Sequence, residues 1–484
     1  MDKILHFIDG QYSPSASDRW MYKINPATGE KTADIALGDQ TDVQRAVDAS
    51  AQALTSWSAT SAQQRFEILN RIAEIISQRS EMLAAAETTD TGKPLRLSRE
   101  VEIPRASSNF RFFATAALQF SSESHAMPSA INYTLRQPVG IVGCISPWNL
   151  PLYLFTWKIA PALAAGNCVV SKPSELSPTT ASLLGQICLD AGLPPGVLNI
   201  IQGSGAQAGD AIVRHPRIKA VSFTGGTKTG QLISSIAGPM FKKLSLELGG
   251  KNPCLVFADC PMERTVSEVA RLAFSNQGQI CLCGSRILIQ RSIYAEFKER
   301  LLAKISKLCI GDPMDPDTQF GSLISAEHQQ KVLSYIALAQ QEGGRILTGG
   351  HALQLQGRCS KGFFVAPTVI EGLGPSCRTN MEEIFGPVIT LQPFDTEEEA
   401  LQLANASEYG LAATLWTTDV DRVHRLSSRI NTGIVWVNCW LLRDLRTPFG
   451  GVNASGVGRE GGWEVMRFFT EAKNVCIQFD NNLY

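Results

Sequence analysis

The sequence predicts an α/β protein built on doubly wound parallel sheets. Three observations lead to this prediction. After residue 140, short apolar runs alternate with helical patterns, glycine clusters follow two of the runs, and a second block of the same texture begins after Gly249 and Gly250. Strands that alternate with helices form parallel sheets covered by helices on both faces, and such layers commonly bind nucleotides.

The N-terminal region precedes this alternation. Residues 1–40 contain FIDG, a polar turn and INPATGE, and these turn signals favour a short hairpin region. Apolar residues then recur at helical spacing, which predicts helices at 42–57, 62–79, 80–91 and 97–120.

The central block carries five apolar runs that are bounded by turn residues, as buried strands require. We predict strands at 141–145, 168–171, 198–201, 220–223 and 244–248, with helices at 152–164, 178–190, 206–214 and 227–237. The second block predicts strands at 254–257 and 286–290, helices at 261–275 and 293–307, and further strands up to about residue 440.

Composition excludes several classes of function. Lys and Arg total 44 against 45 Asp and Glu, so no basic surface indicates nucleic acid or an anionic membrane as a partner. The 12 cysteines have no framework spacing and the six histidines form no HExxH motif, which argues against disulfides and a metal site. With no signal-length apolar run at the N-terminus, we expect a cytoplasmic protein.

Two glycine clusters stand where a strand meets a helix, at residues 203–209 and 225–230. Backbone N–H groups at a helix start attract phosphate, although each cluster could equally be a tight turn. Lys172 and Glu175 end the second strand of the same block. They could reach ribose hydroxyls, and a carboxylate would repel a 2′-phosphate and favour NAD over NADP, unless both are solvated loop charges.

The segment FSNQGQICLCGSR, residues 274–286, is a nearly uncharged loop around Cys281. Thiolate chemistry needs backbone donors and space for a substrate, so Cys281 is the candidate nucleophile. The alternative is that Cys281 and Cys283 are buried structural thiols. Glu247 is flanked by leucines, which predicts a carboxylate in apolar surroundings. Such surroundings raise the pKa of a carboxyl group into the range useful for a general base. The alternative is a structural carboxylate held in an ion pair.

Together with the segments ISPWN, LELGGKNP, EEIFGP and NCWLLRDLRTPFGG, these loops resemble the aldehyde dehydrogenase superfamily over nearly the whole chain. The resemblance implies an aldehyde-dehydrogenase-like α/β fold in three parts. Residues 1–122 and 141–247 would form a Rossmann-type NAD-binding domain, residues 248–465 an α/β catalytic domain, and residues 123–140 and 466–484 a small β element that joins subunits into a homodimer or homotetramer.

The resemblance also implies residue roles and a cofactor, NAD. Cys281 would be the nucleophile, Glu247 the base and Asn149 the oxyanion donor. The cofactor-binding residues would be Lys172, Glu175 and Glu383 at the riboses, Trp148 and Phe385 along the cleft, and Gly225 at the pyrophosphate. Gly226 departs from the family, in which many members carry serine, so one hydroxyl contact to phosphate is missing.

Within the superfamily, the segments around residues 103–113, 145–167 and 438–451 are most similar to dehydrogenases of 2-aminomuconic and 2-hydroxymuconic semialdehydes. These substrates carry a carboxylate, which bidentate arginine recognises well. The resemblance assigns Arg105 and Arg443 to that carboxylate. The alternatives are an ordinary helix-face charge for Arg105 and an ion pair of Arg443 with Asp444. Betaine-type or retinal-type aldehydes, a CoA-acylating enzyme and an NAD-binding protein without turnover are the wider alternatives.

Overall fold

The structure is a computed structural model that describes residues 2–479. Residues 1 and 480–484, which the predicted domain bounds include, lie outside the described residues. The N-terminal third contains β1 Asp2–Ile4, β2 His6–Ile8, β3 Gln11–Ser13, β4 Trp20–Asn25, β5 Glu30–Ala36, α1 Gln40–Ser58, α2 Ala62–Gln78, α3 Ser80–Thr91, α4 Leu95–Leu97, α5 Ile103–Gln119, β6 Ser124–Met127 and β7 Ala130–Pro138.

The predicted hairpin region divides between two sheets. Strands β2 and β3 pair as an antiparallel hairpin, and β1, β4 and β5 form a separate three-stranded sheet. The four predicted helices are present, but the uninterrupted helix predicted over 97–120 is wrong at its start. Residues Ser98–Glu102 form a π turn, and the buried carboxylate of Glu102 lies 3.0 Å from the ammonium nitrogen of Lys93. A single widened turn leaves the apolar periodicity on both sides intact, so the sequence pattern does not reveal it.

The central block folds as the alternation predicts. Its elements are β8 Ile141–Ile145, α6 Pro151–Ala164, β9 Cys168–Lys172, α7 Thr179–Asp190, β10 Leu198–Ile200, α8 Asp210–Arg214, β11 Ile218–Thr224, α9 Thr227–Ala237 and β12 Lys243–Glu247. The five strands are parallel in the order β12-β11-β8-β9-β10, and β2 and β3 extend the β10 edge. We call this sheet the cofactor sheet.

The second block forms the catalytic sheet. Its elements are β13 Pro253–Val256, α10 Met262–Phe274, β14 Arg286–Gln290, α11 Tyr294–Ile305, α12 Ala326–Gln341, β15 Arg345–Thr348, β16 Ala352–Leu353, β17 Phe364–Val365, β18 Thr368–Glu371, α13 Arg378–Met381, β19 Val388–Phe394, α14 Glu397–Asn405, β20 Ala412–Trp416, α15 Val420–Ser427, β21 Ile434–Val437 and β22 Gly456–Val457. The strand order is β15-β18-β19-β14-β13-β20-β21, parallel except for β15.

Strand β22 leaves the catalytic block and pairs antiparallel with β12 of the cofactor sheet. Glu247 at the end of β12 therefore lies between Thr224 of β11 and Gly456 of β22. This pairing fixes the strand end that carries Glu247 against the catalytic block.

The C-terminal elements α16 Gly462–Phe468 and β23 Thr470–Gln478 complete a third sheet. Strand β23 pairs antiparallel with β7 along its whole length, from Thr470 opposite Pro138 to Gln478 opposite Ala130, and β6 pairs on the other side of β7. The exact domain bounds remain a prediction. Within residues 2–479, no helix is both long and apolar enough to cross a membrane.

Candidate active site

The loop that carries Cys281 is held in a strained conformation. It begins with a short turn in which Asn276 and Gln277 have φ angles of 48° and 57°, a region that non-glycine residues rarely adopt. Gly278 follows with φ 70°, and a Cβ there would lie 2.2 Å from the carbonyl oxygen of Gly386. The loop therefore approaches the EEIFGP segment as closely as only glycine allows.

The two thiols of the CxC motif have different surroundings. Cys281 is half-buried and lines a cavity, whereas Cys283 is buried and its Sγ lies 3.8 Å from the carbonyl oxygen of Ser275. The side-chain amide of Asn252 donates to both backbone carbonyls, at 2.6 Å to Cys281 and 3.0 Å to Cys283. This amide fixes the backbone while the Cys281 side chain faces open space.

Electrostatics disfavour a resting thiolate at Cys281. Burial raises the pKa of the thiol, the carboxylates of Glu247 and Glu383 raise it further, and the guanidinium of Arg443 opposes them. The thiol therefore keeps its proton at neutral pH until a nearby base removes it.

Glu247 is the candidate general base for the water that would hydrolyse an acyl-enzyme. Its carboxyl group is buried, and neither oxygen has a hydrogen-bond partner among residues 2–479. Burial raises its pKa well above the usual range, and the charge of Glu460 adds to this effect, while Lys158 and Arg443 oppose it. A Cβ at Gly450 would lie 2.7 Å from Glu247 Oε1, so the glycine leaves the carboxyl group its space. A buried, unpaired carboxyl group of raised pKa suits a general base.

Asn149 lies in the loop between β8 and α6 and lines the same cavity as Cys281. Its carbonyl oxygen accepts hydrogen bonds from Lys93 Nζ at 2.9 Å and from Asn276 Nδ2 at 3.0 Å. Its own Nδ2 donates to the carbonyl oxygen of Gln279 at 2.9 Å. Because an amide carries two N–H donors, one remains to suit the oxyanion that an aldehyde oxygen becomes when the Cys281 sulfur adds to the carbonyl carbon.

The cavity shared by Cys281 and Asn149, which we call the cofactor cleft, has a volume of about 240 Å³. Its walls also include Trp148, Gly225, Glu383 and Phe385, together with His328 and Lys331. The rings of Trp148 and Phe385 meet edge to face, with centroids 5.4 Å apart. A second cavity of about 380 Å³, mostly apolar, lies between α8 and α9 and is lined by Ile145, Gly205, Val213, Phe223, Leu232 and Ile236.

A glycine cradle, Gly225 and Gly226, lines the cofactor cleft. Gly225 donates its N–H to the carbonyl oxygen of Glu247 at 3.0 Å, and a Cβ there would lie 2.4 Å from the Phe223 ring. Apart from its chain neighbours, no atom of residues 2–479 lies within 4 Å of where a Gly226 Cβ would be, and Gly226 precedes the first turn of α9. The two cavities fit the two ends of a dinucleotide, and the open N-terminus of α9 fits its pyrophosphate.

Lys172 and Glu175 lie at the carboxyl end of β9. Lys172 Nζ is buried and donates to Glu175 Oε2 at 3.0 Å and to the carbonyl oxygen of Gly203 at 2.9 Å. Burial alone would raise the pKa of Glu175, but the ammonium of Lys172 and the backbone N–H groups of Glu175 and Gly205 together lower it. Glu175 is therefore ionised at neutral pH and disfavours a second negative group, such as a 2′-phosphate, beside it.

Comparison with known proteins now identifies the family. The model of the aldehyde dehydrogenase family matches residues 12–475. The chain belongs to this family. It is 47% identical over 478 residues to the 2-aminomuconic semialdehyde dehydrogenase of Mus musculus, and the match covers 98% of both chains. It is 45% identical over 485 residues to the 2-hydroxymuconic semialdehyde dehydrogenase of Pseudomonas sp. strain CF600, and that match covers 99% of this chain and 100% of the other.

A solved structure resembles the fold closely. The betaine aldehyde dehydrogenase of Staphylococcus aureus, crystallised with NAD⁺, superimposes with a TM-score of 0.95 at 37% identity and covers 98% of this chain and 94% of that chain. The predicted fold class, enzyme class and cofactor are confirmed: the protein is an NAD-dependent aldehyde dehydrogenase. The roles of individual residues remain predictions.

Serine at position 226 is expected to tighten NAD binding to this aldehyde dehydrogenase. The site is open, and a hydroxyl at the start of α9 would add a hydrogen bond to phosphate worth about 1 kcal/mol, roughly a fivefold lower Kd. Titration calorimetry with NAD measures it. The matched control is Gly225→Ser, whose Cβ would collide with Phe223, so weaker binding is expected there. An unchanged or weaker affinity in Gly226→Ser would contradict the phosphate position.

Glu460→Gln is expected to shift the acid limb of the kcat profile of this aldehyde dehydrogenase to lower pH. Glu460 raises the pKa of Glu247, and its Oε1 lies 2.7 Å from Lys158 Nζ. The substitution removes a like charge and leaves the cation without its partner, and both effects lower the pKa of Glu247. The base form, which is lost as pH falls through this pKa, then persists to lower pH.

The matched control for this pH measurement is Glu464→Gln, an exposed carboxylate paired with Arg467. Its kcat profile should coincide with that of the wild type. A limb that stays in place or moves to higher pH in Glu460→Gln would refute the electrostatic coupling.

Two further residues of the cofactor cleft, His328 and Lys331 of α12, could not be identified from the sequence. The His328 ring lies 5.3 Å from that of Trp148, its Nε2 lies 2.7 Å from the carbonyl oxygen of Phe385, and burial lowers its pKa to about 4, so it is neutral at pH 7. Lys331 faces Glu383, which accepts a hydrogen bond from the Gly250 N–H at 2.9 Å. Neither residue lies in a recognisable motif, since a helix-face histidine or lysine has no distinctive sequence signal.

Arg105 and Arg443 converge on the side chain of Tyr153. Arg443 Nη1 donates to the Tyr153 hydroxyl, and the guanidinium of Arg105 lies 5.9 Å from the centre of the Tyr153 ring. Asp444 pairs with Arg446, so the alternative pair of Arg443 with Asp444 does not form. Nε and Nη2 of Arg443 are buried without a partner among residues 2–479.

Proposed function

We propose that this enzyme oxidises an unsaturated semialdehyde that carries a carboxylate, namely 2-aminomuconic 6-semialdehyde, to the corresponding acid, 2-aminomuconate. The proposal rests on the convergence of Arg105 and Arg443 on one tyrosine. The charge of Arg443 also acts on Cys281 and Glu247. Buried guanidinium donors without partners need an anion, and a carboxylate fits them. Betaine-type and retinal-type aldehydes have no anionic tail.

The second candidate substrate is 2-hydroxymuconic semialdehyde. The bacterial relative named for it is nearly as similar to this chain as the mouse relative named for the amino compound. Both substrates carry the same terminal carboxylate, so the arginines do not separate them.

The proposed chemistry follows from three side chains. The Cys281 sulfur adds to the aldehyde carbon as its proton passes to a nearby base, and the Asn149 amide and the Cys281 N–H stabilise the oxyanion. NAD, when bound, supplies the hydride acceptor. The resulting thioester on Cys281 is hydrolysed by a water that Glu247 deprotonates, releasing the acid and the free thiol.

For the cofactor we propose the roles that the sequence implies. Lys172, Glu175 and Glu383 hold the riboses, Trp148 and Phe385 line the cleft, and Gly225 approaches the pyrophosphate. The ionised state of Glu175 and the open glycine cradle at residues 225–226 support these roles.

The substrate proposal is tested with Arg105→Ala and Arg443→Ala. Each loses charge-assisted hydrogen bonds worth about 1.5–3 kcal/mol, so kcat/KM for the semialdehyde should fall about 10- to 100-fold, mainly through KM. Activity on 2,4-hexadienal, an uncharged six-carbon aldehyde, should change little. NADH absorbance reports both.

The control is Arg446→Ala, which removes an exposed guanidinium paired with Asp444 and should affect neither substrate. An equal loss on the charged and uncharged aldehydes in the two test variants would refute carboxylate recognition. A wild type that prefers 2,4-hexadienal would refute the substrate class.

We further infer a homodimer or homotetramer. Strand β21 is an edge of the catalytic sheet, and a cavity of about 870 Å³ lies beside it, lined by residues 433–436 and 442–449 with Phe112. Strand β23 is a nine-residue edge strand that is mostly exposed, with Ile477 and Phe479 at its end. Long exposed edges pair with other chains, so β23 of a second copy is the proposed occupant of this groove.

The oligomer is tested by light scattering after size exclusion. A mass of two or four chains supports it, and Ile477→Asp should shift the mass toward one chain by placing a charge on the edge. A monomeric wild type at micromolar concentration would overturn the proposal.

A further inference from the structure

Tyr153 stands out on the helix that follows the oxyanion loop. Every residue of α6 is buried except Tyr153, which is half-buried. Helices that are apolar all round lie inside a protein, and a tyrosine on one usually directs its polar tip to a wetter space. The hydroxyl of Tyr153 is thus the polar group that α6 presents outside the packed core.

The backbone of Tyr153 is anchored from the helix that carries Arg105. Its carbonyl oxygen accepts hydrogen bonds from Asn109 Nδ2 and from Thr156 Oγ1, both at 3.0 Å. Asn109 is buried on α5, one turn after Arg105. Arg105 and Tyr153 are therefore held in register by two packed helices and not by a mobile loop.

The contact of Tyr153 with Arg443 determines which donors stay free. Arg443 Nη1 donates to the phenolic oxygen, so the tyrosine hydroxyl keeps its own proton to donate. Nε and Nη2 of Arg443 remain buried and unpaired among the described residues. These two nitrogens form one edge of the guanidinium plane, and that edge binds both oxygens of a carboxylate in parallel.

The guanidinium of Arg443 has little freedom to turn. It packs over the Trp157 ring, 4.5 Å from its centre, and over the Phe449 ring, 3.9 Å from its centre. Flanked by rings and fastened at Nη1, the group offers its Nε and Nη2 edge in a fixed direction. Preorganised donors bind an anion more tightly because little ordering remains to be done on binding.

We propose that Tyr153 is a specificity-determining residue that recognises the carboxylate of the substrate jointly with Arg443. The phenolic oxygen accepts the hydrogen bond of Arg443 Nη1, which leaves the Nε and Nη2 edge of the guanidinium for the carboxylate. The Tyr153 hydroxyl donates a third hydrogen bond to that carboxylate. Arg105, whose guanidinium lies 5.9 Å from the centre of the Tyr153 ring, adds a second positive charge. This inference rests on the proposed function, in that it requires a substrate with a carboxylate far from the aldehyde.

Tyr153→Phe tests the hydroxyl alone, because it keeps the ring and its contact with Arg105. We expect kcat/KM for the muconic semialdehyde to fall about 10- to 100-fold through KM, the effect of losing a hydrogen bond to a charged group and the alignment of Arg443. Activity on 2,4-hexadienal should stay within about twofold of the wild type. The control is Tyr294→Phe, whose hydroxyl bonds to Glu371 at 2.9 Å on another element; its preference between the two substrates should not change.

Binding of a dicarboxylate gives a readout that needs no turnover. The inhibition constant of cis,cis-muconate against hexadienal oxidation should rise about 10-fold or more in Tyr153→Phe and in Arg443→Ala. In the double variant it should rise little above its value in Arg443→Ala, because the Tyr153 hydroxyl acts partly through that arginine. Tyr153→Phe and Arg443→Ala change different residues, so either variant can be compared with the wild type if the other folds poorly.

The outcomes separate this inference from the proposed function. If the wild type does not prefer the acidic substrate over 2,4-hexadienal, the proposed substrate class fails. If the wild type prefers it but Tyr153→Phe lowers activity on both aldehydes equally, or leaves both unchanged, the role of Tyr153 is overturned while the substrate class stands.

Discussion

Replacement of Cys281 by alanine is expected to abolish aldehyde oxidation, with kcat lowered by about 10⁴-fold or more, as for other covalent nucleophiles. The sulfur faces the cofactor cleft, and its backbone is fixed by Asn252. Alanine is smaller than cysteine and leaves both cavities open, so NAD should still bind. NADH absorbance and NAD titration measure the two effects separately.

The neighbouring thiol supplies the matched control. Cys283 lies two residues away in the same loop but is buried against Ser275. Cys283→Ala should cost about 1 kcal/mol of stability and leave kcat within a few-fold of the wild type. Retained turnover in Cys281→Ala, or its loss in Cys283→Ala alone, would move the nucleophile away from Cys281.

Glu247→Gln is expected to lower steady-state kcat by about 10²- to 10⁴-fold, the range for loss of a general base. The amide has nearly the same shape, so the buried site between β11 and β22 should fold unchanged. Acylation should survive, because the Glu247 charge raises the pKa of the Cys281 thiol and its removal lowers that pKa. Stopped-flow absorbance should then record a burst of one NADH per subunit followed by slow turnover.

A steady-state loss without a burst would mean that Glu247 is needed before the hydride leaves. It would then be the base that deprotonates Cys281, and its assignment to hydrolysis alone would be wrong. The pH dependence of the burst in wild type and variant distinguishes these roles, since only the first makes acylation depend on the carboxyl group.

Much of the cofactor sheet and part of the catalytic sheet could be predicted from local signals. Strands that are buried on both faces appear as continuous apolar runs, and glycines mark where they end. The predicted runs at 141–145 and 286–290 coincide with β8 and β14, and the predicted helix at 227–237 coincides with α9. The three-part division into domains remains a prediction from the similarity to a known family, since periodicity alone does not determine it.

Features that depend on distant contacts could not be predicted. The contact between Arg443 and Tyr153 joins residues that are 290 positions apart, and the apolar cavity between α8 and α9 arises only when those helices pack. The helix predicted over 206–214 begins as a π turn at Gly205–Gly209, because glycines permit the wider turn that a periodic pattern cannot distinguish. Charge pairing was also ambiguous, as Asp444 selects Arg446.

The proposed mechanism requires a thioester at one sulfur, and mass spectrometry of Glu247→Gln mixed with NAD and the muconic semialdehyde tests this directly. We predict that the intact protein gains the mass of one acyl group and that peptide mapping places it on Cys281. A protein of unchanged mass after the NADH burst, or an acyl group on another cysteine, would contradict this mechanism.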